Sequence, residues 1–398
     1  MTAMPTTATA DFLVIGAGIA AASIGAWLAG RGRVVLIERE SQPGYHSTGR
    51  SAALFMESYG TPQVRALTMA SRAFFEHPPE SFAAAPILSP RGVLMVGAVG
   101  QEAALDDHWQ VMRSVADDAR RLNADETCAM VPVLRRELVA GGLHEPGALD
   151  IDVHALHHGY LRRLRRQGGE LVCDAEVMSL SHRGGVWNVE AGGRQWQAPV
   201  VVNAAGAWCD AVARLAGVAP IGLVPKRRAA FVFAPPPGFA VAGWPAFVGV
   251  DESWYVKPDA GMLLGSPANA DPVEPHDVQP EELDIALAID RIEAMTTLKI
   301  ARPARTWAGL RSFVADGDLV GGFDVDAPGF FWLAAQGGYG IQTSAAMGEA
   351  CAALAAGEDL PSAIARFGVT AAMLSPARLR AGMPLAKEST PRNERTPP

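Results

Sequence analysis

An α/β (α+β) fold is what this sequence predicts: a nucleotide-binding domain into which a second domain, built on an antiparallel or mixed β-sheet, is inserted. Three observations predict it. Asp11-Phe-Leu-Val-Ile15-Gly16-Ala-Gly18 reads as a short apolar strand entering a glycine turn, and the small residues through Ser23 continue it as a helix. A second apolar run, Val34-Val-Leu-Ile37, ends on Glu38, 22 residues after Gly16. From Pro225 to about Arg302 the texture changes to short alternating strands and proline-rich turns.

The first unit is Rossmann-like. Gly16 allows the tight turn, Gly18 lets the backbone approach a pyrophosphate, and Ile19 and Ala20 open a helix whose free N–H groups face that anion. Glu38, followed by Arg39, stands where an acid hydrogen-bonds a ribose 2′-hydroxyl. The third glycine of the pattern is Ala21, and a methyl is tolerated there because that position serves helix–strand packing.

Composition narrows the function classes. A chain of 398 residues, 49% hydrophobic and 19% charged, is long enough for two domains around sizeable cores. Its net charge of −8, with no lysine- or arginine-rich block, argues against a nucleic-acid partner. The four cysteines (Cys128, Cys173, Cys209, Cys351) have no ligand-like spacing, so they read as reduced packing residues of a cytoplasmic protein, and no metal site is expected. Residues 1–10 lack the basic region of a signal peptide, and 376–398, rich in Pro, Arg and Thr, read with them as flexible tails. The apolar stretch Phe12–Gly30 is broken by glycines and reads as a buried βα unit, not a membrane span.

Taken in order, Arg39–Ala53 is a polar, small-residue loop in which Ser47, Thr48, Arg50 and Ser51, with the N–H groups around Ala52 and Ala53, are suited to hold a long cofactor beyond its phosphates. Gln63–Phe75 and Gln101–Leu122 have helical spacing, and Ile87–Val96 reads as a turn and a strand. Asp152–Arg166 is a helix with a basic last turn; its His154, His157 and His158 read as surface residues. Glu170–Val177 is a short strand, and Met178–Arg183 with Val186–Ala191 an alternating pair. The buried run Val200–Asn203 then meets Ala204-Ala205-Gly206-Ala-Trp208, a second close approach of backbone to cofactor.

After the inserted sheet comes a helix over Glu281–Leu298 and then the return segment, Thr306-Trp-Ala-Gly309-Leu-Arg311. It ends in a strand, a glycine loop (Gln336-Gly337-Gly338-Tyr339-Gly340-Ile341-Gln342-Thr343) and a small-residue helix. A nicotinamide enzyme has no obvious use for this second strand–loop–helix unit. A flavin does, because its reduced N1–C2=O carries negative charge that a helix N-terminus stabilises. The pairing of the two units points to FAD.

The segments PGYHSTGRSAA (43–53), YGTPQVRALT (59–68), VPVLRRE (131–137), VNAAGAWCDA (202–211), PKRRAAF (225–231), YVKPDAGMLLGSPANADPVE (255–274), TWAGLRSFVADGDLV (306–320) and AAQGGYGIQTSAAMGEA (334–350) resemble the glycine-oxidase/D-amino-acid-oxidase superfamily of FAD enzymes, and within it the D-arginine dehydrogenases. The resemblance spans nearly the whole chain. It implies non-covalent FAD, with residues 11–77, 143–223 and 306–375 forming the FAD-binding domain and 78–142 and 224–305 the substrate domain. Val177 and Ala205–Gly206 join the cofactor set on the same ground. It further implies a D-amino-acid dehydrogenase: hydride passes from Cα to flavin N5, and water hydrolyses the imino acid to a 2-oxo acid and ammonia. A quinone-like or other acceptor then takes the electrons, with peripheral contact at the inner membrane left open.

Residue by residue, Arg228 and Arg311 match a pair that grips the substrate carboxylate, flanked by Tyr255 and Tyr59, while Gly338 and Gln342 match positions near the substrate amine and the flavin. A guanidinium fork suits a carboxylate bidentately, and the lesser reading of Arg311 taken alone is half of a structural ion pair. Leu54, Met56 and Val93 depart from the D-arginine pattern, each replacing a polar residue of the side-chain pocket. A buried guanidinium facing Val93 would lack a charge partner, so D-arginine and D-lysine are expected to be poor substrates and neutral hydrophobic D-amino acids better ones. Two other readings stay open: oxidation of a secondary or cyclic amine or an N-methyl amino acid, and a non-catalytic flavoprotein subunit.

Overall fold

The computed structural model describes residues 7–380. Its nucleotide-binding sheet has six strands in the order Glu170–Val172, Val34–Ile37, Phe12–Ile15, Val200–Asn203, Phe330–Ala334 and Val320–Phe323. The first five run parallel and only the last is antiparallel. Parallel strands covered on both faces must be apolar throughout, which is why Phe12–Ile15 and Val34–Ile37 are buried at every position. One face is covered by the helices Ile19–Leu28, Val153–Arg166 and Ser344–Ala355. The other packs on a four-stranded sheet of Thr7–Thr9, Arg194–Ala198, Val186–Ala191 and Val177–Arg183.

The second domain is a nine-stranded sheet. Eight strands run Asp271–Pro272, Val224–Phe233, Met262–Ser266, Tyr255–Asp259, Ala246–Gly249, Val93–Ala98, Val139–Glu145 and Arg120–Asn123, and Arg305–Phe313 adds a further pairing to Val224–Phe233. Its register positions the functional side chains. Val93 pairs with Glu145 and with Ala246, Val248 with Tyr255, and Val232 with Leu264, while Arg228 faces Gly309 and Lys226 faces Arg311. Side chains alternate with a period of two. Arg228, Arg311, Tyr255, Val93 and Glu145 therefore share one face of the sheet.

Four expectations need correction. Gln101–Leu122 is not one helix: Glu102–Val115 ends where Ala116 turns extended before Asp117-Asp118, and Arg120–Asn123 forms an edge strand. The helix expected over Glu281–Leu298 is Glu282–Met295, because Thr296 goes extended and bridges Leu134. The strand Arg305–Phe313, expected in the returning nucleotide segment, belongs to the large sheet, drawn there by nine successive partners from Val224 to Val232. The tails are shorter than expected: Thr7–Thr9 pairs with Gln195–Gln197, and Ala377–Arg380 is a helical turn tied by Arg378 to Asp316 (2.7 Å) and by Arg380 to Asp324 (2.6 Å). Residues 1–6 and 381–398, also read as tails, lie outside the described residues. Among the described residues no helix is long and apolar enough to cross a membrane.

Candidate active site

The first glycine turn is as tight as its residues allow. Gly16 has φ +107°, and a Cβ there would stand 2.6 Å from the Ala204 carbonyl oxygen, so the second backbone approach abuts the first. Glu38 braces the turn: its Oε2 accepts from Ala17 N–H at 2.8 Å and its Oε1 from Glu40 N–H at 3.0 Å. Ile19 N–H donates to Thr48 Oγ1 at 3.0 Å, joining the helix start to the loop over Arg39–Ala53. A cleft opens here, lined among others by Gly16, Gly18, Ala20, Glu38, Arg39, Val177, Ala205, Gly206 and Trp208. At one end the Arg39 guanidinium sits 4.2 Å from the Trp208 ring centroid and the His46 ring 4.7 Å from it.

A second cleft abuts the first, sharing Ile19, Ser47, Thr48, Leu310, Gln336 and Gly337 with it. Arg50, Ser51, Ala52, Gly309, Gly338, Gly340 and Ile341 form its walls, with Arg228, Tyr255 and Arg311 contributed by the nine-stranded sheet. Ala53 lies behind, packed on the core. The polar loop is docked through its side chains. Ser47 Oγ donates to the Leu310 carbonyl (2.6 Å), Arg50 donates to the carbonyls of Val278 (3.0 Å) and Ala308 (3.2 Å) and pairs with Asp277, and Trp307 Nε1 donates to the Arg50 carbonyl (3.0 Å). These side-chain hydrogen bonds are made within the protein. Thr343 is buried, its hydroxyl donating to the Tyr339 carbonyl at 2.9 Å, at the N-terminus of the helix Ser344–Ala355.

Two half-buried arginines face the second cleft. Arg228 Nε donates to the Asn269 carbonyl at 2.6 Å, and Arg311 Nη1 to Tyr59 Oη at 3.4 Å. Among the described residues neither has a carboxylate within ion-pair distance. Arg227, on the opposite face of the same strand, is held by Asp271, Glu281 and Asp284. Burial, with the positive charge of Arg311 next in weight, pushes the Arg228 guanidinium down to about 10. At neutral pH both stay charged and repel one another, which makes this a place for an anion. The Tyr59 and Tyr339 rings meet edge-on at 5.0 Å beside it.

Met56 and Val93 are buried in one apolar cluster with Ala148 and Ala246, and Leu54, Tyr59 and Val248 pack on it. The three residues read from the sequence as a side-chain pocket thus stand together, packed with the tyrosine that accepts from Arg311, and none of them is among the residues lining the two clefts. Gln342 is 3% exposed; its Nε2 donates to Thr68 Oγ1 at 2.9 Å and its Oε1 accepts from Met56 N–H at 3.4 Å. It bonds the Met56 backbone and is not among the residues lining the two clefts.

Sequence reasoning missed four groups. Glu145, across from Val93, is buried and accepts from Glu57 N–H (2.9 Å) and Ser58 Oγ, and burial holds its carboxyl above the usual range. Lys257 is buried against Asp150 (2.8 Å), which also takes Arg91 (2.7 Å). Asp277 latches Arg50. His157, read as surface, is 3% exposed, with Nε2 2.9 Å from the Ala17 carbonyl oxygen. A signal existed only for His157, which precedes Tyr160, Leu161 and Leu164 on the inward stripe of its helix.

A family model described as "DAO: FAD dependent oxidoreductase" matches residues 11–354. The chain is 22% identical over 397 residues to FAD-dependent oxidoreductase domain-containing protein 1 of Xenopus laevis, covering 87% of this chain and 79% of that one. In fold it is similar to glycine oxidase from Geobacillus kaustophilus (TM-score 0.78, 22% identity, 89% and 96% of the two chains) and to L-proline dehydrogenase from P. horikoshii (TM-score 0.80, 19% identity, 95% and 99%). The abutting clefts, with a phosphate-ready glycine turn in the first and a helix N-terminus behind the wall of the second, fit the dinucleotide. The chain belongs to the DAO family of FAD-dependent oxidoreductases, and FAD is its cofactor.

Proposed function

From that membership we propose that this protein is a D-amino-acid dehydrogenase for neutral, hydrophobic side chains, yielding an imino acid that water hydrolyses to a 2-oxo acid and ammonia. The observation that carries the reading is the apolar cluster of Leu54, Met56 and Val93 set against Tyr59, beside two arginines without a carboxylate partner. Bound FAD supplies the acceptor for the hydride that leaves Cα. Everything else falls to the chain. Arg228 and Arg311 take the substrate carboxylate, and Tyr255 and Tyr59 close on its flanks. With the carboxylate fixed, Cα–H and a neutral amine are aimed at the cofactor by position rather than by a dedicated base. The side chain is left to the cluster. A D-arginine guanidinium there would be stripped of water with no free anion: Glu145 is engaged by Glu57 and Ser58, and Asp150 by Lys257 and Arg91. The electrons go on to a quinone-like or other acceptor, in the cytoplasm or at the inner face of the membrane.

The test is anaerobic. The yellow protein is mixed with D- and L-amino acids, proline and N-methyl amino acids, and 2-hydroxy acids, and loss of flavin absorbance is followed. Bleaching by D-leucine or D-phenylalanine at least about tenfold faster than by D-arginine is expected, since a single polar mismatch costs about 1–3 kcal/mol. Equal rates would overturn the pocket assignment. Bleaching by cyclic or N-methyl amines alone would move the reading to amine oxidation, and no bleaching at all would favour a non-catalytic subunit. In air, little peroxide is expected.

A further inference from the structure

His157 and the cofactor turn are 140 residues apart in sequence and in hydrogen-bond contact. The helix Val153–Arg166 starts at Asp152, whose side chain accepts from Ala155 N–H, and it buries Leu156, Tyr160, Leu161 and Leu164 against the nucleotide domain. His157 is buried with them, 3% exposed, and its Nε2 lies 2.9 Å from the carbonyl oxygen of Ala17. Ala17 is the middle residue of Gly16-Ala17-Gly18. Its N–H is already held, donating to Glu38 Oε2 at 2.8 Å. The peptide units on both sides of Ala17 are therefore fixed, one by Glu38 and the other by His157.

The second of these decides where an anion can bind. A trans peptide points its C=O and N–H in opposite directions. Drawing the Ala17 carbonyl toward the buried His157 ring sends the Gly18 N–H the other way, away from that ring, and Gly18 itself lines the cleft. The ring also packs closely on Gly44, where a Cβ would stand 3.0 Å from its Cε1 and 3.3 Å from its Nδ1. Gly44 belongs to the loop whose Thr48 receives the Ile19 N–H, so one imidazole is wedged between the turn and the loop that caps it. Only an Nε2–H tautomer fits, because the Ala17 oxygen can only accept.

We infer that His157 is a positioning residue for the cofactor's pyrophosphate: by donating Nε2–H to the Ala17 carbonyl it aims the Gly18 amide at the phosphate oxygens. The inference needs FAD as cofactor and is independent of which substrate is oxidised.

The experiment is a binding measurement on apoprotein. FAD is titrated into the wild type, His157→Leu and His157→Gln, with flavin fluorescence giving Kd, and each apoprotein is melted without ligand. ADP and adenosine are titrated in parallel. His157→Leu is expected to weaken FAD and ADP by about tenfold, the worth of one well-placed hydrogen bond, and to leave adenosine unchanged. His157→Gln, whose amide nitrogen reaches the Nε2 position, is expected to stay within about threefold of wild type. A fall in adenosine binding equal to the fall in ADP binding would overturn the inference, as would equal losses in the Leu and Gln variants or none in either. Should the Leu apoprotein fail to fold, His157→Asn takes its place. It keeps the polarity without the reach and is expected to lose ADP but not adenosine; full retention of ADP by Asn would likewise overturn the inference.

Discussion

Gly338 lies directly beneath the Arg311 guanidinium: a Cβ at Gly338 would stand 2.8 Å from Nη1 and 3.1 Å from Cζ of that arginine. The absence of a side chain at 338 is what lets the guanidinium reach the cleft. Gly338→Ala should therefore displace Arg311 while leaving the nucleotide turn untouched. KM for the amino acid is expected to rise about tenfold or more, since misplacement of a positioning group by a fraction of an ångström already costs that much. FAD affinity, followed by flavin fluorescence, should hold steady.

Arg228 and Arg311 repel each other and await an anion, so each should be functionally costly to remove and structurally cheap. Arg228→Met and Arg311→Met are each expected to lower kcat/KM about 100-fold or more, in line with the roughly 2–5 kcal/mol that follows truncation of a buried charge pair. The melting temperature of the substrate-free protein should stay level or rise, because one of two like charges is gone. A fall of several degrees together with intact KM would assign these arginines to the scaffold.

Behind the side-chain cluster, Asp150 sits between Lys257 and Arg91 and pairs in register with Leu54. Asp150→Asn leaves the Lys257 ammonium buried without its anion and is expected to cost about 3–5 kcal/mol in urea denaturation. Adding Lys257→Met to that variant should recover much of the loss. A double variant no better than the single one would mean that Arg91, not Lys257, is the partner that matters.

Acid should loosen the apoprotein through His157. Burial, the largest influence, lowers its pKa from 6.5 to about 4. The folded value is depressed, so the fold binds the neutral ring in preference. The stability this contributes is complete above pH 6.5, the unfolded value, and drains away as pH falls from 6.5 toward 4. The span is worth about 3 kcal/mol at roughly 1.36 kcal/mol per unit. Between about pH 7 and pH 4.5 the melting temperature of wild-type apoprotein is expected to fall more than that of His157→Gln, which has no proton to gain. Parallel falls would place the acid sensitivity elsewhere.

How much of this was legible in the sequence depended on the range of the interaction. The turn at Gly16 and Gly18 and the strand Phe12–Ile15 are local signals, and the fold shows both, with Glu38 holding backbone N–H groups of the turn and of its own loop. The position of Arg305–Phe313 was not legible, because a nine-residue strand carries no mark of which sheet will pair with it. Val93 comes from a different stretch of chain than Leu54 and Met56, and only the resemblance grouped the three; the shared cluster is a tertiary fact. Glu145 gave no warning, since a buried carboxylate in a strand looks like any exposed one until Glu57 and Ser58 fold over it. His157 was misread by composition, as one of three clustered histidines, although its helical phase marked it as inward.

The strand Arg305–Phe313 touches two ligands' territories at once. Its Leu310 and Ala308 carbonyls hold Ser47 and Arg50, and its Trp307 holds the Arg50 carbonyl. One residue beyond Leu310, the same strand delivers Arg311 to the substrate cleft. Cofactor loading and substrate capture are therefore expected to be linked through one ladder of backbone. Filling the flavin cleft should tighten the Ser47–Arg50 loop, already docked within the protein, on the strand's hydrogen-bonded edge, so amide exchange along 305–313 is expected to slow as flavin loads. An enzyme stripped of its flavin would then be poor at binding amino acids too, and it would not sequester substrate that it cannot oxidise.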